Sequence, residues 1–310
     1  MATADRSRAR MSAPPPDWTS RPERSNTLAL RIIVWIALRL GRTPARALLF
    51  PTSLYFLLFA VAPRRASRDW LTRALGRPPR WREQFRHFHT FAATILDRVF
   101  LLNDRFDLFE LELMGTDTVR EAFAAGAGCF LLGAHFGSFE VTRAVGRMQP
   151  GLDVSLLMYE ANAQRIGATI RAINPALGTK IIPLGSMQSM LRVRESLDAG
   201  GFVGMLADRR LGDEDSITVP FLGAPARFPT GPFRLAALLR RPIVLMFGIY
   251  LGGNRYQVRY ESLAFEDGDV EHLAARYVER LEHHARRAPY NWFNFHDFWR
   301  QTTEPRAADA

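Results

Sequence analysis

The chain has 310 residues, of which 47% are hydrophobic, 11% aromatic and 23% charged. This composition is typical of a globular protein with one large or two small domains, and it excludes disordered, collagen-like and disulfide-stabilised proteins. With a single cysteine, Cys129, and no Cys/His spacing typical of zinc sites, we expect a reducing compartment, no metal and no cofactor. The net charge of +10 originates in residues 1–80, which hold 15 arginines and four acidic residues, while the rest of the chain is nearly neutral.

The N-terminal region combines a basic tail with two apolar stretches. Residues 1–26 are rich in arginine, serine and proline and lack the apolar core of a signal peptide, which predicts a disordered tail. Residues 28–40 and 47–62 are apolar and have arginines on both sides, but a bilayer crossing needs about 20 apolar residues. We therefore predict a helical membrane anchor within residues 27–104 that enters the interface from the cytoplasmic side. A pair of buried core helices is the alternative.

The remainder of the chain alternates between helical and strand patterns. Apolar residues spaced three and four apart predict a helix over 81–102, and strict alternation predicts a strand over 109–113. Short apolar runs predict further strands at 129–134, 154–158, 180–183, 202–206 and 243–247, with helices at 162–174, 186–199 and 230–240. This alternation predicts an α/β domain over residues 105–300, with a central, mostly parallel sheet flanked by helices, followed by a tail at 301–310.

One junction between a strand and the following segment carries candidate catalytic residues. His135 follows the apolar run 129–134 and lies between Gly133 and Gly137, which permit a close approach of the backbone and a substrate. If His135 precedes a helix and Glu140 lies in its first turns, the carboxylate can fold back onto the imidazole. The other ring nitrogen could then take a proton from an alcohol near neutral pH. Taken alone, the pattern is more often that of a histidine that merely caps a strand end.

Further segments strengthen the case for His135. The sequence from Gly133 to Glu140 resembles the His-x4-Asp/Glu motif of the lysophospholipid acyltransferase superfamily, and in particular of the bacterial lipid A biosynthesis acyltransferases of the lauroyl and myristoyl type. Similar blocks follow in the family's order, between about residues 28 and 299. They are Arg171 to Pro183, Leu197 to Asp208, Val219 to Ala226, Pro229 to Ala236, and the Pro-x-x-Trp signature at Pro289 to Trp292. Where the family has an Asp-Gln pair, this chain has Asp208 and Arg209.

The resemblance implies a membrane-associated acyltransferase on the cytoplasmic face of a bacterial inner membrane. It would move a fatty acyl group from an acyl carrier protein thioester, or from acyl-CoA, to a hydroxyl of a glycolipid or related lipid. His135 would be the general base, and Glu140 would orient it and balance its charge. Arg171 would hold a phosphate or the developing oxyanion, Asp208 would support the site, and Gly137 and Ser138 are also assigned to substrate binding. An acidic carrier protein would dock on arginine pairs, of which the chain has Arg192/Arg194, Arg209/Arg210 and Arg240/Arg241.

Other functions remain open at this point. A non-catalytic membrane-surface protein could use an acyltransferase-like domain to bind a lipid or a partner. Nucleic-acid binding through residues 1–80 is disfavoured by the apolar stretch 47–62. A serine hydrolase is disfavoured because Ser138 lacks the Gly-x-Ser-x-Gly setting of a nucleophile elbow. The acceptor is undecided between a lipid A precursor, an aryl-polyene-type lipid and other lipids.

Overall fold

A computed structural model describes residues 35–143, 151–174, 176–177, 180–210, 214–264 and 269–299. The predicted tails at 1–26 and 301–310 lie outside these residues. Residues 35–40 are helical, and four helices follow before the first strand. These are α1 (Arg42–Ala47), α2 (Leu49–Phe59), α3 (Val61–Leu75) and α4 (Trp81–Leu102). The last of them has the bounds predicted from its apolar periodicity, and a buried stripe that includes Phe88, Leu96 and Val99 runs along it.

A seven-stranded sheet forms the centre of the fold. Its strands are β1 (Glu110–Met114), β2 (Cys129–Gly133), β3 (Val154–Tyr159), β4 (Lys180–Leu184), β5 (Phe202–Leu206), β8 (Ile243–Gly252) and β9 (Arg255–Ser262), and a separate hairpin consists of β6 (Ser216–Phe221) and β7 (Ala224–Pro229). The spatial order is β1-β9-β8-β2-β5-β3-β4. Every pair in the large sheet is parallel except β8 with β9. The predicted α/β class with a mostly parallel sheet is thus confirmed.

Five further helices complete the described fold. They are α5 (Thr116–Ala124), α6 (Glu160–Ile173), α7 (Met187–Asp198), α8 (Gly231–Leu239) and α9 (Val270–Arg287). The predicted strands are present with bounds shifted by a few residues, as are the predicted helices except the one after His135, but β6, β7, β9, α5 and α9 were not predicted. The elements α5, β9 and α9 carry many polar residues among their buried apolar ones, and the hairpin strands β6 and β7 contain prolines, so a search for short apolar runs passes over all five. The helix expected directly after His135 is a 3₁₀ turn, Glu140–Arg143, as far as the described residues extend.

The core is divided between the two faces of the sheet. Phe130 and Leu132 of β2 join one buried cluster, and Cys129 and Leu131 join the other, because successive side chains of a strand point to opposite faces. Helix residues before position 105 belong to both clusters: Trp70 packs in the first, and Leu49 and Leu96 in the second. The N-terminal helices therefore share their cores with the sheet.

The N-terminal helices differ from a simple spanning anchor. Within the described residues, no one helix has both the length and the apolar character needed to cross a bilayer; the segments Arg42–Phe59 and Val61–Leu75 meet those criteria as a pair, with a bend of 93° between them. Their inner side is buried, but Trp35, Phe50, Leu58 and Phe59 each expose more than half of their surface. We call these four side chains the apolar face.

Candidate active site

His135 lies at the carboxyl edge of the sheet, two residues beyond the end of β2. Strands β2 and β5 are parallel neighbours, and their register pairs Gly133 with Leu206. The two chains stay in step beyond the strands, since the Ala207 N–H donates to the Gly133 carbonyl at 3.1 Å. His135 and Asp208 are each two residues past their strand and therefore meet side by side. Ligands usually bind at this edge in open α/β sheets.

His135 and Asp208 form a hydrogen-bonded pair. The Nδ1 atom of His135 lies 2.9 Å from Asp208 Oδ1, and its main-chain N–H donates to Oδ2 at 3.0 Å. The Trp292 indole N–H also donates to Oδ2, at 2.8 Å. The Asp208 side chain is completely buried, whereas 35% of the His135 side chain is exposed. Asp208 thus binds the imidazole at Nδ1 and leaves the other edge of the ring accessible.

The protonation states follow from the surroundings. Burial and the nearby Arg209 charge lower the pKa of His135 below 6.5, against the opposing effect of Asp208. Burial alone would raise the pKa of Asp208, but the charge and hydrogen bond of His135, with Arg209 and Trp292, hold this pKa well below its usual range. An ionised carboxylate only accepts hydrogen bonds, so Nδ1 carries the proton of a neutral imidazole. Nε2 then has a lone pair, and no hydrogen-bond partner to it is found among the described residues.

Glu140 is placed differently from the sequence-based expectation. Its carboxylate forms an ion pair with Arg98 of α4, with 2.6 Å between Oε1 and Nε, and accepts a hydrogen bond from Ser138 Oγ at 3.0 Å. The carboxylate folded onto the imidazole is that of Asp208, because the 3₁₀ turn directs Glu140 towards α4. A catalytic role for Glu140 stays a prediction. The sequence analysis missed Arg98, although a charge pair at 97–98 within an apolar helical run is unusual enough to have signalled it.

Gly137 and Ser138 have structural roles in residues 134–139, the loop after β2 that carries His135 and that we call the catalytic loop. Gly137 has φ of +70°, and a Cβ atom there would lie 1.9 Å from the carbonyl oxygen of Gly248 in β8. Only glycine fits so close to that strand. The Ser138 N–H donates to the same carbonyl at 2.7 Å. These contacts fix the loop on β8, and substrate contacts by either residue stay a prediction.

Arg171 lies apart from the His135 site. It is exposed in the last turn of α6 and does not line either of the two cavities described below. The cations that reach His135 are Arg98 and Arg209 instead. Nη2 of Arg209 also donates a hydrogen bond to the Phe293 carbonyl at 2.6 Å. A substrate-binding role for Arg171 stays a prediction.

Two cavities meet at His135. The large cavity, of about 790 Å³, has mainly apolar walls that include Leu131, Leu156, Ile166, Ile170 and Met246. The small cavity, of about 400 Å³, lies between α4, the C-terminal segment and Pro63 of α3. Both share the same junction, which is formed by Arg98, His135, Phe139, Glu140, Leu206 and Arg209. A molecule in either cavity can therefore contact His135.

Two other chemistries find no support in the described residues. No group of three or more His, Cys, Asp or Glu side chains is arranged to hold a metal ion there. Cys129 is buried within β2, and burial raises the pKa of its thiol to about 12, so it is not a nucleophile near neutral pH.

The site consists of a neutral histidine that is oriented by a buried carboxylate and opens onto an apolar cavity. Such a site defines a candidate base-catalysed enzyme for a substrate with a long apolar chain. The chain belongs to the bacterial lipid A biosynthesis acyltransferase family, whose profile matches residues 30–301. The family prediction is thus confirmed, and the predicted class, acyltransferase, is that of the family.

Two curated relatives come from Mycobacterium tuberculosis, strains ATCC 25618 / H37Rv and CDC 1551 / Oshkosh. Each is a phosphatidylinositol mannoside acyltransferase and is 25% identical to this chain over 225 residues. The matched region covers 71% of this chain and 66% of each relative. The chain is therefore similar to acyltransferases that act on a lipid acceptor.

Proposed function

We propose that the protein transfers a fatty acyl group from a thioester donor to a hydroxyl group of a lipid acceptor. The observation that carries this proposal is the neutral His135, held at Nδ1 by Asp208 and opening through Nε2 onto the junction of the two cavities. Family membership and the mycobacterial relatives support the same reaction class.

The reaction uses Nε2 of His135 twice, while Nδ1 stays hydrogen-bonded to Asp208. Nε2 of His135 takes the proton of the acceptor hydroxyl as its oxygen attacks the thioester carbonyl carbon. The C–O bond forms, the C–S bond breaks, and the imidazolium returns the proton to the leaving thiolate. Asp208 stabilises the imidazolium, and the charges of Arg98 and Arg209 favour the oxyanion on the carbonyl. Base catalysis of this kind contributes about 10²–10⁴-fold to the rate.

The two cavities suit two substrates. Aliphatic walls and a volume of about 790 Å³ suit the large cavity to the acyl chain of the donor. The small cavity reaches Pro63, close to the apolar face, and would admit the acceptor from a lipid surface. A Cβ atom at Gly204 would lie 3.3 Å from Leu156 and 3.5 Å from Phe139, so Gly204→Val should shorten the accepted acyl chain. Ile95→Trp in the small cavity should raise KM for the acceptor and leave the chain-length preference unchanged.

The activity is tested with radiolabelled palmitoyl-acyl carrier protein and palmitoyl-CoA as donors. Vesicles that contain a lipid A precursor or a phosphatidylinositol mannoside supply the acceptor hydroxyl. Label should move to a lipid product with the wild-type protein and not with His135→Ala, whose loss should exceed about tenfold. Binding of these vesicles without transfer from either donor would favour the non-catalytic alternative. Comparison of the two donors distinguishes acyl carrier protein from CoA.

A membrane location at the cytoplasmic face of the inner membrane is part of the proposal. It rests on the apolar face, whose large exposed side chains lie on α2 and on the helical residues before α1. Binding to phospholipid vesicles should survive high salt, because apolar burial is not screened. Phe50→Ser with Phe59→Ser should weaken flotation with the vesicles, whereas Leu238→Ser, on α8 and 78% exposed, should not. Equal effects of the two sets would contradict this assignment.

A further inference from the structure

We propose that Trp292 is a positioning residue of the site, which fixes the Asp208 carboxylate so that His135 keeps its proton on Nδ1. The structural basis of this inference is the geometry of the described residues. Its kinetic consequence rests on the proposed function. Trp292 is completely buried and lines neither cavity, so within the described site it acts through Asp208 rather than on a substrate.

The indole N–H determines how the carboxylate is shared. Oδ2 of Asp208 accepts from Trp292 at 2.8 Å and from the His135 main chain at 3.0 Å, which leaves Oδ1 for the imidazole at 2.9 Å. Three donors on one buried carboxylate set its rotation about the Cβ–Cγ bond. Without the indole, Oδ2 keeps one donor, and the carboxylate becomes both more basic and freer to rotate.

The backbone of Trp292 is tied to the catalytic loop. Phe136 and Trp292 form an antiparallel bridge, and the Phe293 N–H donates to the His135 carbonyl at 2.9 Å. On the other side of this connection, the Gly137 N–H donates to the Asn291 carbonyl at 2.7 Å. The segment Asn291–Phe293 thus lies directly along the catalytic loop and is hydrogen-bonded to it on both sides of Trp292.

One side chain of the N-terminal helices, His87, binds the same segment, and a second, Ser67, binds His87. His87 of α4 lies with Nε2 at 2.9 Å from the Trp292 carbonyl and Nδ1 at 2.9 Å from Ser67 Oγ of α3. Burial lowers the pKa of His87 to about 4, so the neutral ring donates from Nε2 and accepts at Nδ1. The hydrogen-bonded series Ser67, His87, Trp292, Asp208 and His135 connects the N-terminal helices to the proposed base.

The test compares Trp292→Phe with Trp70→Phe. Trp70 has the same chemistry in the same cluster: it is 1% exposed, its ring centroid lies 4.4 Å from that of Trp292, and its indole N–H donates to the Pro289 carbonyl at 2.7 Å. Each substitution removes one indole and one hydrogen bond, but only one of the two bonds ends on Asp208. The unfolding midpoint in denaturant should therefore fall to a similar extent in both variants.

The expected difference lies in kinetics and in the titration of His135. Trp292→Phe should lower kcat by at least about tenfold, the scale of a hydrogen bond to a charged group, with KM for the donor unchanged. The more basic Asp208 should move the acid limb of the kcat profile, and the pKa of His135 followed by NMR, to higher pH. Trp70→Phe should change none of these. Equal kinetic losses, or an unchanged His135 titration in Trp292→Phe, would overturn the proposal.

Two measurements separate this inference from the proposed function. The NMR titration of His135 needs no turnover, so a wild-type protein without transferase activity but with the expected shift would contradict only the function. If Trp292→Phe does not fold, the indole N–H resonances of the wild-type protein test whether Trp292 is coupled to His135 through Asp208. The Trp292 N–H should shift with the same midpoint as His135, and the Trp70 N–H should not; a Trp292 resonance that ignores this midpoint would overturn the proposal.

Discussion

Asp208→Asn is the sharpest single perturbation of the site, because it keeps the shape of the side chain and changes only what it can accept. In the wild-type protein three donors share the two carboxylate oxygens. The amide of asparagine has one oxygen, which satisfies the side that faces the His135 and Trp292 N–H groups, and an NH₂ that then faces Nδ1. The imidazole must accept at Nδ1 and carry its proton on Nε2. The lone pair needed at the cavity junction is lost.

The magnitude follows from that change of tautomer. The equivalent Asp→Asn substitution in a Ser-His-Asp protease lowers kcat by about 10⁴-fold. Here the acceptor hydroxyl meets the same requirement for an unprotonated Nε2, so we expect kcat to fall by about 10³–10⁴-fold, or about 4–5.5 kcal/mol of transition-state stabilisation. KM for the donor should change little, because Asp208 is completely buried and lines neither cavity in the described structure.

The assay is acyl transfer to lipid vesicles under saturating donor, with unfolding followed by circular dichroism. Asp97→Asn is the matched control, because Asp97 is also a completely buried carboxylate but binds Arg42 and Tyr256 away from both cavities. It should lose stability and keep kcat. A kcat for Asp208→Asn within tenfold of the wild-type value, or an equal loss in Asp97→Asn, would refute the assigned role of Asp208.

Three further predictions address the surroundings of the site. Glu140 contacts Arg98 and not His135, so Arg98→Ala and Glu140→Ala should each lower kcat/KM. The double variant should lose little more kcat/KM than the worse of the two single variants, because both remove the same ion pair. Additive losses would show that the two side chains act separately. The folded state keeps His87 neutral, because burial lowers its pKa to about 4. The contribution of this neutral side chain to the free energy of unfolding is complete above pH 6.5. About 3 kcal/mol is lost as the pH falls from 6.5 to about 4. His87→Gln should flatten the dependence of the unfolding free energy on pH in that range, and an unchanged slope would exclude His87 as its source. An acyl carrier protein that acts as the donor must approach the carboxyl edge of the sheet. Arg234, in the first turn of α8, lies next to the large cavity, so Arg234→Glu should lower kcat/KM with this donor, most strongly at low salt. Arg240→Glu, at the far end of the same helix, should leave kcat/KM unchanged, and a larger loss in Arg240→Glu than in Arg234→Glu would contradict this approach.

The arginine pairs proposed from the sequence illustrate what linear proximity omits. Arg241 donates to the Ala127 carbonyl, just before β2, and pairs with Asp198 at the end of α7, so it lies at the amino edge of the sheet, opposite His135. Arg209 is half-buried in the site itself. Two of the pairs that look alike in the sequence therefore have different surroundings, and the charge pattern could not distinguish them.

Patterns along the chain were enough to predict the class of fold and the position of the proposed base. Apolar periodicity gave α4 its bounds, and short buried runs gave the strands on either side of His135. Such patterns are local, because burial on one or both faces of an element dictates which residues along it are apolar. The placement of a histidine directly after a buried strand was readable for the same reason. The order of the blocks along the chain indicated the family.

Which groups contact that histidine depends on the packing of segments that are distant in the sequence. Asp208 is 73 residues from His135 in the sequence, and Trp292 is another 84 residues further, yet all three meet within hydrogen-bond distance. The meeting depends on β5 lying beside β2 in a register that pairs Gly133 with Leu206, and on the C-terminal segment crossing the catalytic loop. Apolar patterns specify that a strand is buried but not which strand lies beside it, since any buried strand offers the same backbone donors and acceptors. Glu140, nearer in sequence, was therefore the expected partner, and the packing of the whole sheet gave that place to Asp208.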